Sequence, residues 1–196
     1  MLQATLLYAL LDRLAPAWKG ALAPSPWVAF VVNFVVIDYA YYWNHRLLHG
    51  SALWRWHAVH HTATEMDVLV TSRNTVWSHF LILYVWVNAL AVFLLADPTA
   101  FVLAAAATAA LDLWRHSEAG PGRLGRLLGG VVITPAEHAW HHSATRAGCN
   151  FGANLAWWDR LHGTDYRPGG PPADLGLTLA WTPLQRLLAP PHPVRP

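Results

Sequence analysis

Residues 38–61 read DYAYYWNHRLLHGSALWRWHAVHH, and they put five histidines where a long apolar run gives way to a polar one. His45 and His49 are four apart, and His57, His60 and His61 fall at i, i+3 and i+4, so on helices each set projects from one face. The second spacing returns about eighty residues later in PAEHAWHHS, at His138, His141 and His142. A lone histidine is more often a packed or surface residue than a ligand. Three helically spaced sets reverse that expectation and mark all eight as candidate metal ligands held at a membrane surface.

Composition narrows what such a site can be. The chain has 196 residues, of which 55% are hydrophobic and 12% charged, about half the charge of an ordinary soluble domain. A net charge of +2 with no basic run argues against a nucleic-acid partner. Cys149 is the single cysteine, which excludes an internal disulfide, a cysteine-rich zinc site and a four-cysteine iron–sulfur cluster. Any metal must therefore be held by histidine and oxygen.

The apolar runs predict an all-α fold of integral membrane helical hairpins, with a cytoplasmic helical cap holding the histidine-rich dimetal site. Residues 1–26 read as a short interfacial helix and linker, broken by APSP at 23–26. Residues 27–167 are expected to form the membrane domain. Its spans are 27–43 extended to His49, 75–96, and 99–114, the last two joined by a tight turn at Asp97-Pro98. Residues 168–196 form a Pro-rich tail, expected to be irregular, in which His192 is no ligand. Six arginines, among them Arg123 and Arg126, lie on the histidine-bearing side of these runs and none at the Asp97 turn, which places the histidines in the cytoplasm.

One ion takes at most about six ligands, so eight histidines suit two ions, and imidazole alone does not choose among iron, zinc, copper and nickel. Asp38, Tyr42, His45 and His49 make one helical stripe, and Asp112 stands four before His116. A carboxylate at such a position is expected either to accept the outer N–H of a ligating imidazole or to pair with an arginine.

HRLLH, HAVHH and HAWHH, with Asp38 and Tyr42 before the first, Thr134-Pro135 before the last and NFGANLAWWDRLHGT after it, resemble the fatty acid hydroxylase and sterol desaturase superfamily. The resemblance covers roughly residues 38–165. It implies a di-iron membrane oxygenase that uses O2 and two electrons to hydroxylate or desaturate a lipid. Carried onto this chain, it implies His45, His49, His57, His60, His61, His138, His141 and His142 as ligands, with His116 as a ninth. Asn150, Trp158 and Asp159 match the closing motif, where packing and support of the ligands are the implied roles. This chain has Asn74 and Thr75 where the family often has another histidine, so His79, Asn150 or water is expected to complete that coordination. His162 stands at a position usually filled by phenylalanine and is read as a substitution.

No stretch resembles a haem, flavin or iron–sulfur domain, so the electrons are expected from a separate redox protein docking near Arg123 and Arg126. Two other classes compete: a zinc-dependent membrane hydrolase with Glu137 as general base, and a non-catalytic metal carrier or haem anchor.

Overall fold

The computed structural model describes residues 2–119, 122–146, 148–188 and 190–191. Helices α1 (Leu2–Leu14), α2 (Pro26–Val31), α3 (Asp38–Leu48), α4 (Trp54–His57), α5 (Ser78–Leu81), α6 (Leu83–Leu94), α7 (Thr99–Arg115), α8 (Arg123–Leu128), α9 (Pro135–His141), α10 (Trp157–Leu161) and α11 (Pro183–Leu188) follow in order. Isolated β-bridges occur, but no strand forms among the described residues.

Two layers result. In the first, α2 and α3 are joined by a π-helical turn over Val32–Ile37, and the ensuing helix packs on α6 and α7, with α1 along the outer side of α6. Ser25 starts that helix, its side chain accepting from the Val28 N–H at 3.4 Å, with Pro26 at the first turn, where its missing N–H costs nothing. The Asp97-Pro98 turn joins α6 to α7, and the Asp97 carboxylate accepts the Thr99 N–H at 2.9 Å. The second layer is a cap of short helices and loops drawn from residues 54–78 and from residue 116 onward, meeting the first layer where α9 packs on α7.

The expected 75–96 span is not one helix. It breaks at Ile82, whose backbone is extended (φ −81°, ψ 116°), into α5 and α6. The cause lies on α3: the Asn44 amide donates to Leu81 O at 2.9 Å and its oxygen accepts the Leu83 N–H at 3.1 Å. Those two bonds satisfy backbone groups that a continuous helix would satisfy itself. Among the described residues no helix is long and apolar enough to cross a membrane. The longest uninterrupted α-helix, α7, has 17 residues and rises about 26 Å, short of a ~30 Å hydrocarbon core.

The tail is tied down where it is described. Leu177 N donates to His61 O at 2.7 Å, Gly176 N to His142 O at 3.2 Å, and Trp77 Nε1 to Leu188 O at 2.6 Å. Gly176 has φ 82°, and a Cβ there would run into the Ala63 carbonyl, so the close approach needs glycine. His192 lies outside the described residues.

Candidate metal centre

Five segments deliver the histidines. α3 carries His45 on its last turn and ends at His49; α4 ends at His57; a 3-10 turn holds His60 and His61; α7 ends at His116; and α9 carries His138 and His141, ending at His142. A capping box fixes the start of α9: Thr134 and Glu137 bond each other's backbone N–H, with Pro135 at the first turn.

The nine side chains form two groups. His45, His49, His57, His61 and His141 make one, and His60, His116, His138 and His142 the other, with the ligand-type nitrogens of each group within 4.8 Å of one another. The groups adjoin: the His61 and His142 rings stack at 4.5 Å, and His57 and His60 lie 5.2 Å apart. All nine are buried except His49, which is half-buried.

The outer nitrogens are tied to backbone carbonyls, which turns Nε2 inward. His45 Nδ1 meets Phe151 O at 2.8 Å, His141 Nδ1 meets Cys149 O at 2.8 Å, His60 Nδ1 meets Val70 O at 3.1 Å, and His116 Nδ1 meets Asp112 O at 2.8 Å. Inside, rings converge tip to tip, as for His138 and His116 Nε2 at 2.8 Å and His45 and His57 Nε2 at 3.1 Å. His49 Nε2, His141 Nε2, His138 Nδ1 and His142 Nδ1 are buried with no hydrogen-bond partner. Buried polar atoms are normally satisfied, so the unpartnered Nε2 atoms of His49 and His141, together with the Nε2 atoms that meet tip to tip, fit divalent cations better than they fit one another.

Burial holds the cap imidazoles neutral. It pulls His57, His60, His61, His138 and His142 well below the ordinary histidine value, and His141 down to about 4, with the neighbouring imidazoles acting in the same direction. Neutral rings keep the lone pair that coordination needs.

The other sequence candidates fall in different places. Asp38 accepts from Asn154 N (2.8 Å), Leu155 N (3.0 Å), Trp158 Nε1 (2.7 Å) and Tyr84 Oη (3.1 Å), and no imidazole is among its partners. The expected imidazole acceptor is instead the clamp that fixes the 154–158 segment to α3, because donors from that segment saturate the carboxylate. Asp112 pairs with Arg115, and its carboxylate lies 3.3 Å from His116 Nδ1, whose hydrogen bond at 2.8 Å is with the Asp112 backbone carbonyl. Tyr42 reaches Thr164 Oγ1 at 2.9 Å and accepts from Arg46, with no hydrogen bond to any of the nine clustered histidines among the described residues.

Asp159 and Asn150 act through the loop between them. Asp159 accepts the N–H groups of Phe151 (2.7 Å) and Gly152 (2.8 Å), which fixes the carbonyl that His45 uses. Asn150, at φ 51°, bonds Glu137 O and the backbone of Tyr166, so its amide is committed to the chain and not to a metal. A Cβ on Gly152 would lie 2.8 Å from Asp159 Oδ2 and 2.7 Å from Leu155 O, which is why this position is glycine. Exposed His79 lies outside both groups. His162 stacks on Tyr42 (5.1 Å) and Tyr39 (5.7 Å) and bonds Tyr39 Oη at 3.1 Å, serving as an aromatic ring. Glu137, the base named in the hydrolase reading, spends its carboxylate on the Thr134 cap and on Arg167 at 3.1 Å.

Sequence reasoning missed the cavity of about 250 Å³ between α3, α6 and α7. His45, His57, His60, His116 and His138 border it, and Leu48, Leu81, Ile82, Ala105 and Ala109 give it apolar walls. Its wall residues are spread over 98 positions from Tyr41 to His138, without a shared local pattern.

Fold and site together define a helical protein with a buried all-histidine centre suited to two metal ions, opening on a cavity with partly apolar walls. The chain belongs to the fatty acid hydroxylase family, whose profile matches residues 30–164. It is 34% identical over 169 residues to the ornithine lipid hydroxylase OlsE of Rhizobium tropici, covering 79% of this chain and 48% of that protein. It is 27% identical over 148 residues to alkylglycerol monooxygenase of Xenopus tropicalis (71% and 31%), and 29% over 162 residues to that of Danio rerio (79% and 34%). The chain thus spans about half or less of the length of these relatives. No solved structure matches it significantly.

Proposed function

We propose that this chain is a membrane-bound di-iron oxygenase that hydroxylates or desaturates a lipid, fatty acyl, sterol or related, using O2 and externally supplied electrons. The observation that carries the reading is the two adjoining histidine groups bordering a cavity with partly apolar walls, in a chain of the fatty acid hydroxylase family. His45, His49, His57, His61 and His141 would hold one ion, and His60, His116, His138 and His142 the other. Bound iron would supply O2 activation, the chemistry needed to break an unactivated C–H bond. The chain's own residues do the rest: carbonyls orient the imidazoles, the 174–177 segment bonds the backbone of His61 and His142, and the cavity holds an alkyl chain against the centre. The lipid substrate is carried over from the relatives, named as an ornithine lipid hydroxylase and alkylglycerol monooxygenases.

Membrane association is supported by the surface. Leu2, Leu6, Leu10 and Leu14 present an exposed apolar stripe on α1, and Trp18, Trp27, Trp43 and Trp77 are exposed beside other large apolar side chains. We place the histidines on the cytoplasmic face from the arginine distribution. A reporter at Asp97 is then expected to be accessible from outside; labelling only from the cytoplasm would reverse the orientation. A redox protein is proposed to supply electrons at the exposed Arg123 and Arg126 of α8.

The deciding experiment is anaerobic metal analysis of the purified chain followed by O2-dependent turnover on lipid extracts. Two irons per chain and an oxygenated or desaturated lipid are expected. Zinc without O2 consumption would reject the oxygenase.

A further inference from the structure

We propose that Asn88 and Thr108 form an oxygen-recognising subsite in the cavity, built to hold a carbonyl or ether oxygen of the substrate at a distance from the metal centre. That the ligand is the substrate rests on the oxygenase reading; that the subsite favours an oxygen acceptor does not. Both residues line the cavity, Asn88 on α6 and Thr108 on α7. Each is held from behind by a fully buried asparagine. Asn33 Nδ2 donates to Asn88 Oδ1 at 3.1 Å, and Asn154 Nδ2 donates to Thr108 Oγ1 at 2.8 Å. Asn33 sits in the π-helical turn, an element frequent at functional sites.

These two bonds occupy acceptors and leave donors. The Asn88 NH2 group and the Thr108 hydroxyl hydrogen have no acceptor among the described residues. Of the other polar groups that line the cavity, the Tyr84 hydroxyl is spent on Asp38, the Ser78 hydroxyl on Trp56 O and the Thr71 hydroxyl on Val68 O; Asn74 donates to Thr71 O, and Asp112 and Arg115 pair with each other, with Arg115 Nε a further unpartnered donor. Tyr41 is uncommitted, but its ring lies against His45 at 5.7 Å, at the histidine end. Two uncommitted donors in a cavity with partly apolar walls favour a ligand that brings an oxygen acceptor, because leaving them unpaired costs more than a net hydrogen bond gains.

The register also sets a distance. Thr108, Asp112 and His116 follow at steps of four on α7, so Thr108 stands two turns from His116, about 12 Å along the axis. A chain anchored by its oxygen at Asn88 and Thr108 would extend towards the centre and present a methylene remote from that oxygen.

The test uses the full metal-loaded chain in detergent and two probes of similar length, methyl decanoate and undecane, with binding measured by calorimetry. Wild type is expected to prefer the ester. Asn88→Leu and Thr108→Val should each weaken the ester about tenfold, roughly the worth of one hydrogen bond, and leave undecane unchanged. Asn33→Leu should weaken the ester by a smaller factor, since it acts only through Asn88. Equal loss of both probes, no ester preference in wild type, or unchanged ester affinity in both cavity variants would overturn the subsite. Ester preference lost in the variants, with no O2-dependent turnover in wild type, would sustain the subsite and sink the oxygenase. Iron-dependent turnover without ester preference would do the reverse.

Discussion

The two histidine groups differ in number and in what lies beyond them. The five-membered group is supported by the 149–152 loop, whose alternate carbonyls at Cys149 and Phe151 take His141 and His45. Asp159 and Asn150 pin that loop from behind. The four-membered group is supported by Val70 O and by the last turn of α7, and three of its members border the cavity. Fewer ligands leave more open positions, and open positions are where a substrate or co-substrate is met. On the proposed two-ion reading, the ion that His60, His116, His138 and His142 would hold is the more reactive one, and the ion of the five-histidine group the more enclosed.

The largest effects should come from removing one ligand in each group. His138→Ala and His141→Ala each delete a buried imidazole that the remaining chain cannot replace, and both should abolish turnover. They should differ in metal content. His138→Ala is expected to lose the ion beside the cavity, and His141→Ala the ion on the loop side, each falling to about one metal per folded chain. Two metals retained with normal turnover in either variant would dissolve the grouping.

Asp159→Asn should fall below these. The asparagine keeps one acceptor oxygen but turns an NH2 towards Phe151 N or Gly152 N, so the carbonyl that holds His45 loosens. Loss of such support typically weakens metal affinity or activity by about 10–100-fold. The loss should be confined to the five-histidine ion, which metal titration of the folded variant would resolve; equal weakening at both ions would mean that the loop serves them jointly. Asp38→Asn should cost stability more than metal. It leaves one of its donors facing another donor, about 1–3 kcal/mol for a buried group, while touching no imidazole. A lower melting temperature with metal content retained is expected, and metal loss at an unchanged melting temperature would contradict it.

Helical spacing made most of this centre readable. His45 and His49 on α3 and the HAWHH histidines on α9 lie on helices, as their spacing predicts, whereas His60 and His61 stand on a 3-10 turn just beyond α4, and His116 ends α7 close to the residue where its apolar run stops. What escaped the sequence depends on partners remote in the chain. The break at Ile82 is made by Asn44, and the role of Asp38 is made by a segment about 116 positions away. Glu137 beside His138 looked like a base, but the same spacing from Thr134 makes it a cap, and the cap prevailed. The Pro-rich tail gave no periodic signal because it is held through its backbone, at Gly176 and Leu177, which composition does not reveal.

The smallest effect should come from His162→Phe, and it sharpens the contrast between the histidines grouped as candidate metal ligands and one that packs. The His162 ring lies in a stack with Tyr39 and Tyr42, with Trp43 edge-on at 4.8 Å, and a phenyl ring of similar shape keeps those contacts. The substitution loses the Nε2 bond to Tyr39 Oη, which is part-buried, so the net cost should be about 0.5–1.5 kcal/mol. No nitrogen of His162 belongs to either metal group, so both ions should remain. The route by which it could matter runs through Tyr42, which contacts Phe151 edge-on at 6.3 Å, and Phe151 in turn holds His45. Thermal melts and metal analysis of the variant separate the two outcomes. A small fall in melting temperature with two metals bound leaves His162 as packing, whereas selective loss of the five-histidine ion would extend that group's support outward to the aromatic stack.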